Sequence, residues 1–266
     1  MADAVMGARP KAVSPRQFYV WMAGSCFLIA VIGFLPTYWM PLARGSFRAE
    51  PMVHIHGLLM FGWVTFFFTQ AWLVAQGKVL SHRTWGMLGV SIMTGIAFIV
   101  PTIVSLRLAQ AATPGEPAQA VHDARAFTWV TISALLFFVP AFVLAVVKLK
   151  DSEAHKRLIL LATISMLGAP IARWFIFAAP PAPPWPAGLP DISSPPIMIA
   201  IIAALIGDIL LGVAVVYDWR TRGKVHPVYL VGGAILLAMH LTTGRVANSA
   251  TWQSAAIAIG KLGLPT

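Results

Sequence analysis

Residues 54 to 83 read HIHGLLMFGWVTFFFTQAWLVAQGKVLSHR, with a histidine at each end and no charged residue from Leu58 to Ala75. Wound as a helix at about 1.5 Å per residue, that charge-free core crosses a hydrocarbon layer of about 30 Å. The run is therefore read as a membrane span, and everything else in the chain must be compatible with a lipid solvent. Within it His56, Trp63 and Gln70 recur every seven residues and share one helical face, which is expected to look into a bundle.

Six further runs have the same character, giving spans at about 18–40, 55–76, 85–106, 125–147, 157–179, 196–217 and 228–247. Hydrophobic residues make up 58% of the 266 and charged ones 11%, outside the usual range of a soluble domain. The expected fold is an all-α, polytopic bundle of seven transmembrane helices forming one domain over 1–266, since no connection is long or polar enough to separate two. The net charge of +10 is not a nucleic-acid signature, because the basic residues cluster in connections between apolar runs rather than along one face. Arg9, Lys11 and Arg16 precede span one, Lys78 and Arg83 join spans two and three, Lys148, Lys150, Lys156 and Arg157 join four and five, and Arg220, Arg222 and Lys224 join six and seven. By the positive-inside rule these regions are cytoplasmic, which puts the N-terminus inside and the C-terminus in the periplasm of a bacterial-type inner membrane.

The first run lacks a small-residue cleavage site and is read as a retained span. Residues 249–262 are weakly apolar and suit an interfacial helix, and Trp21, Trp39, Trp185 and Trp219 suit the aromatic belt. Gly86, Gly89 and Gly95 in span three, with Gly232 and Gly233 in span seven, suggest that these two helices are central. The single cysteine, Cys26, excludes an intramolecular disulfide, and no Walker loop, HExxH helix, GxSxG elbow or CxxC pair is present.

The histidines carry the chemistry. With the topology applied, His54, His56 and His122 lie at the outer edge of spans two and four, and His82, His155 and His226 at the inner edge of spans three, five and seven. His240 lies inside span seven. A weak internal repeat runs through them: His56 and His122 are each followed seven residues on by Trp-Val-Thr, and each unit closes on a His-basic pair, His82-Arg83 or His155-Lys156. An imidazole in a dry bundle needs a partner, a metal or water.

In this order and sidedness residues 54–179 resemble the transmembrane di-haem b-type cytochromes, in which four successive helices carry one ligand each and alternate helices pair. The resemblance implies an outer haem b between His56 and His122, an inner one between His82 and His155, and propionates met by Arg173 and Arg245. It further implies single-electron transfer from a quinol or small reductant. The family's ligands normally lie a turn or more inside the membrane, whereas His82 and His155 stand beside charged residues at the ends of their spans. The other reading of these two is as headgroup anchors. His122 and His226 read equally well as helix-start residues.

Two alternatives stay open. In the first the chain is a proton-coupled transporter: Asp208, near mid-span six, takes the proton, and Arg173, Arg245 and His240 meet an anionic solute in one outward pocket with His56 and His122. Paired Gly/Pro interruptions of the kind found in broken transporter helices are not evident in the sequence. In the second, a metal-dependent intramembrane enzyme, His54, His56, His122 and His240 hold an ion with Asp208 as base. His54 and His56 could share it only from an unwound turn, because residues two apart on a helix point to different sides.

Overall fold

The computed structural model describes residues 14–178 and 194–262, apart from 48, 50 and 113. Trp185 and the basic residues Arg9 and Lys11 fall outside them. Among the described residues the regular structure is helical, with no strand, and seven of the helical stretches are long and apolar enough to cross a membrane. The lipid-facing surface is dense in large apolar side chains, among them Trp21, Leu58, Leu80, Met87, Phe98, Ile209 and Val231, each more than half exposed. The chain is a multi-pass membrane protein.

Helix α1, Pro15–Gly33, begins at Ser14, whose hydroxyl accepts the Gln17 amide at 3.3 Å, with Pro15 in the first turn where its missing N–H costs nothing. It runs into a π-helical turn, Leu35–Trp39, and the short α2, Met40–Ala43. Three long helices follow: α3 Pro51–Ala75, α4 Val79–Gln110 and α5 Ala118–Val147. All three begin before the edges expected from hydropathy, by four to seven residues, and α4 also ends four residues beyond its own.

Spans five and six are each made of two helices. Span five comprises α6, Ser152–Ile164, and α7, Gly168–Ala178, joined by a tightened turn in which Met166 N–H reaches Thr163 O and Leu167 N–H reaches Ile164 O. Span six comprises α8, Ile197–Gly207, and α9, Ile209–Arg222, interrupted only at Asp208. The two interruptions lie side by side: a Cβ on Gly168 would sit 3.6 Å from Ala204 Cα, and one on Gly207 3.5 Å from Leu167 Cβ. Small residues at the junctions let the backbones come close, and the expectation of uninterrupted helices is corrected here. Span seven is α10, Pro227–Ala247, and the chain closes with α11, Ala250–Leu262.

The centre of the bundle is span five, the most buried of the seven, flanked by α1, α5, α8 and α10. Leu160, Leu161, Ile164 and Leu167 are at most 2% exposed there. Spans three and seven were the sequence candidates for that position, yet both present rows of apolar side chains to lipid. Their glycines serve single contacts instead: a Cβ on Gly89 would meet Phe66 at 2.8 Å, one on Gly95 Leu59 at 2.9 Å and one on Gly232 Leu161 at 2.7 Å, while Gly86 has open space. Helix α11 does not lie as a free interfacial helix. It packs on α4 and α5, burying Trp252, whose indole N–H donates to Arg125 O at 2.8 Å.

Candidate functional site

Polar side chains gather in three layers: at the basic end of the bundle, where the Lys/Arg-rich connections lie, in the middle, and at the opposite end. At the basic end α4 and α6 bring His82 and His155 together, with ring centres 6.4 Å apart and planes at 78°. Nδ1 of His155 lies 2.9 Å from Ala145 O. A carbonyl only accepts, so Nδ1 carries a proton, and in the neutral ring that tautomer leaves the lone pair on Nε2. His82 lies against the backbone carbonyl of Gln70, and its Nδ1 is buried without a hydrogen bond. Gln70 is 7% exposed, and both its amide O and N lack partners. This corner therefore contains an oriented imidazole, a second imidazole across from it and an unsatisfied buried amide.

Beside it stands a dense charged cluster. Arg157 donates from Nε to Asp218 Oδ2 at 2.9 Å and from Nη2 to Oδ1 at 2.5 Å, and from Nη1 to Glu153 Oε2 at 2.7 Å. Asp218 is fully buried and Arg157 is 1% exposed. The guanidinium lies over the Tyr229 ring, Tyr229 and Tyr19 share a hydroxyl hydrogen bond at 3.1 Å, and Arg222 pairs with Glu153. In the sequence Arg157 counts only as a topology signal. Asp218, an acid at the end of an apolar span, was the available clue to its partner.

His226 fills the helix-start role expected of it, accepting the Val228 amide on Nδ1 at 3.2 Å. Burial, with Arg157 and Arg222 nearby, holds its imidazole below the usual pKa.

In the middle layer Trp63 and Gln70 face inward as their spacing requires, and Trp63 donates its indole N–H to Thr163 Oγ1 at 3.2 Å. Asp208 and His240 meet across α8 and α10, with Nδ1 of the histidine 2.8 Å from Oδ2 of the acid.

At the opposite end the residues expected to share an outward pocket separate. His56 has a buried Nδ1 without a partner and lies near Arg173. Arg173 donates to Ala169 O and covers the Phe34 ring at 3.9 Å. His122 is half-exposed and pairs with the adjacent Asp123 at 3.2 Å, His54 pairs with the Tyr38 hydroxyl at 3.3 Å, and Arg245 is exposed. His240 belongs to the middle layer. The cause is helix packing: α3 lies mainly on α1 and α4 and meets α5 further along, where Trp63 touches Phe138 and Phe142, so His56 and His122 have no ring contact among the described residues. Nor do those residues contain any group of three His, Cys, Asp or Glu side chains placed to hold a metal ion. The ligand set His54, His56 and His122 is therefore not assembled.

Comparison of the chain with protein-family models, with curated proteins and with solved structures finds no match.

Proposed function

We propose that the protein is a membrane electron carrier that binds one b-type haem between His82 and His155. The observation that carries this reading is the imidazole pair itself. A ligating nitrogen lies about 2 Å from its metal ion and the ring centre roughly 1 Å further, so two imidazoles on opposite sides of one ion have centres roughly 6 Å apart. The observed 6.4 Å fits that requirement. The chemistry of the donors fits as well, since a ligating histidine normally gives its other N–H to a carbonyl or carboxylate, as His155 does to Ala145. The sequence repeat explains how the pair arises, because His82 and His155 close equivalent units and the fold brings those two ends together.

Haem supplies one-electron redox chemistry when bound. The chain's own contribution is definite. Ala145 O fixes the tautomer that leaves Nε2 of His155 free, and deeper in the bundle Trp63 packs edge-on against Phe138 and Phe142. Gln70 offers an unspent amide beside His82. A quinol or small reductant in the bilayer is the electron donor this reading calls for. A second haem between His56 and His122 forms no part of the proposal, because those rings make no contact with each other and His122 pairs with Asp123.

The test is the visible spectrum of detergent-purified protein from haem-replete cells. A red preparation with a reduced-minus-oxidised difference band, lost on replacing His155 with Ala and on replacing His82 with Ala, is expected. A colourless preparation defeats the reading.

A further inference from the structure

The electron-carrier reading leaves unused the two ionisable side chains at the centre of the bundle. Asp208 stands at the interruption between α8 and α9, with φ −66° and ψ −12°. Helix α10 packs on α8 and sets His240 Nδ1 2.8 Å from Asp208 Oδ2. The imidazole is 8% and the carboxyl 10% exposed, and the second carboxyl oxygen, Oδ1, is buried with no partner.

Among the described residues no counter-charge reaches the pair from the elements packed around it. On α7 the charged side chain is Arg173, committed to Ala169 O and the Phe34 ring. The ionisable groups of α6 are Glu153, His155, Lys156 and Arg157 at the basic end, and those of α5 are His122, Asp123 and Arg125 at the opposite end. Those of α9 are Asp218, Arg220 and Arg222 at the basic end, α11 carries Lys261, and Arg245 on α10 itself is exposed. A carboxylate facing a neutral imidazole would thus leave a net negative charge in the least polar part of the membrane. One added proton removes that charge, whether it resides on the carboxyl or makes the ring an imidazolium, and the two forms are one coupled titration.

We propose that Asp208 and His240 form an intramembrane proton-binding site that holds one proton as a net-neutral pair and exchanges it with water. Loading forms one O–H or N–H bond and takes one proton from solvent, and release reverses this, with no change of oxidation state. Oδ1, buried and without a partner, is the atom that a water or a relaying hydroxyl has to reach for the proton to leave. A static polar cross-link between spans six and seven would use the same 2.8 Å contact but would neither hold that proton against rising pH nor trade it.

The experiment uses the full-length protein in lipid nanodiscs and needs no haem. Isotope-edited infrared spectroscopy reads the Asp208 carboxyl, and nitrogen-15 resonance of the ring reads His240, from about pH 5 to about pH 8. The expected result is one proton on the pair across that range, and replacement of that proton by deuterium when the solvent is exchanged. Asp208→Asn assigns the signals. His240→Gln provides a second decision should that variant fail to fold, since the proton then moves wholly to Asp208 and a carboxylic-acid band appears. An ionised Asp208 beside a neutral His240 throughout overturns the proposal, as does a proton that resists deuterium exchange.

Discussion

Removing the Asp218 carboxylate should destabilise the bundle more than any other single side-chain deletion at its basic end. Asp218 receives two hydrogen bonds from Arg157, at 2.9 and 2.5 Å, and one from the His226 amide at 3.2 Å. Both charges are essentially out of solvent. In Asp218→Ala the guanidinium stays buried without its principal counter-charge, a situation that typically costs about 3–5 kcal/mol. Glu153 retains its bonds to Nη1 of Arg157, so the expected loss lies near the low end, about 3 kcal/mol. The double variant Arg157→Met with Asp218→Leu should lose much less, because it leaves no buried charge unpaired: Glu153 keeps Lys156 and Arg222, and the His226 amide loses its acceptor in both variants. Reversible unfolding in mixed micelles measures both. If Asp218→Ala shifts stability by only about 0.5 kcal/mol, or if the double variant is the worse of the two, the pair is not a buried clamp and the reasoning fails.

Gly33→Ala should destabilise by about 1–3 kcal/mol, because the new methyl would lie 2.5 Å from the Pro170 carbonyl oxygen and force α1 from α7, whereas Gly62→Ala, in open space, should be neutral or slightly stabilising in the same unfolding assay. His226, neutral in the fold, caps α10; acidification below its usual pKa protonates the unfolded chain first, so stability is full above that value and falls as pH drops through the lowered folded one. The loss should approach about 1 kcal/mol, the worth of a helix cap, and His226→Asn should keep the cap and flatten the pH profile. Trp252→Ala should loosen α11 from α4 and α5, giving faster amide exchange in residues 250–262 with the seven spans unaffected; uniform exchange along the chain would count against it.

The spans, their order and the inward stripe of His56, Trp63 and Gln70 could be read from the sequence, because each depends on hydropathy and helical period alone. What the sequence conceals is which faces meet. Hydropathy does not distinguish span five, wrapped by protein, from span three, bathed in lipid, because lipid tails and a protein interior reward the same apolar side chains. The interruption at 165–167 did carry a sequence mark, Gly168 with Pro170 in the first turn of α7, whereas the one at Asp208 has no proline beside it and needs only Gly207 and Ala204 to let two backbones approach.

Pairing of the histidines follows the same logic and explains why the two expected sites fared differently. The sequence favours His56 with His122 over His82 with His155, because the latter two stand beside Arg83 and Lys156 at the ends of their spans. The first pair sits at helix beginnings, where α3 and α5 have diverged to neighbours of their own, so each side chain finds a local partner or none. The second pair sits where α4 and α6 both start from the basic end, beside the Arg157 and Asp218 clamp that fixes α6 against span six. An imidazole pair can be held at a spacing suited to one metal ion only where its helices are held, and in this chain the strongest polar cross-link lies at that end.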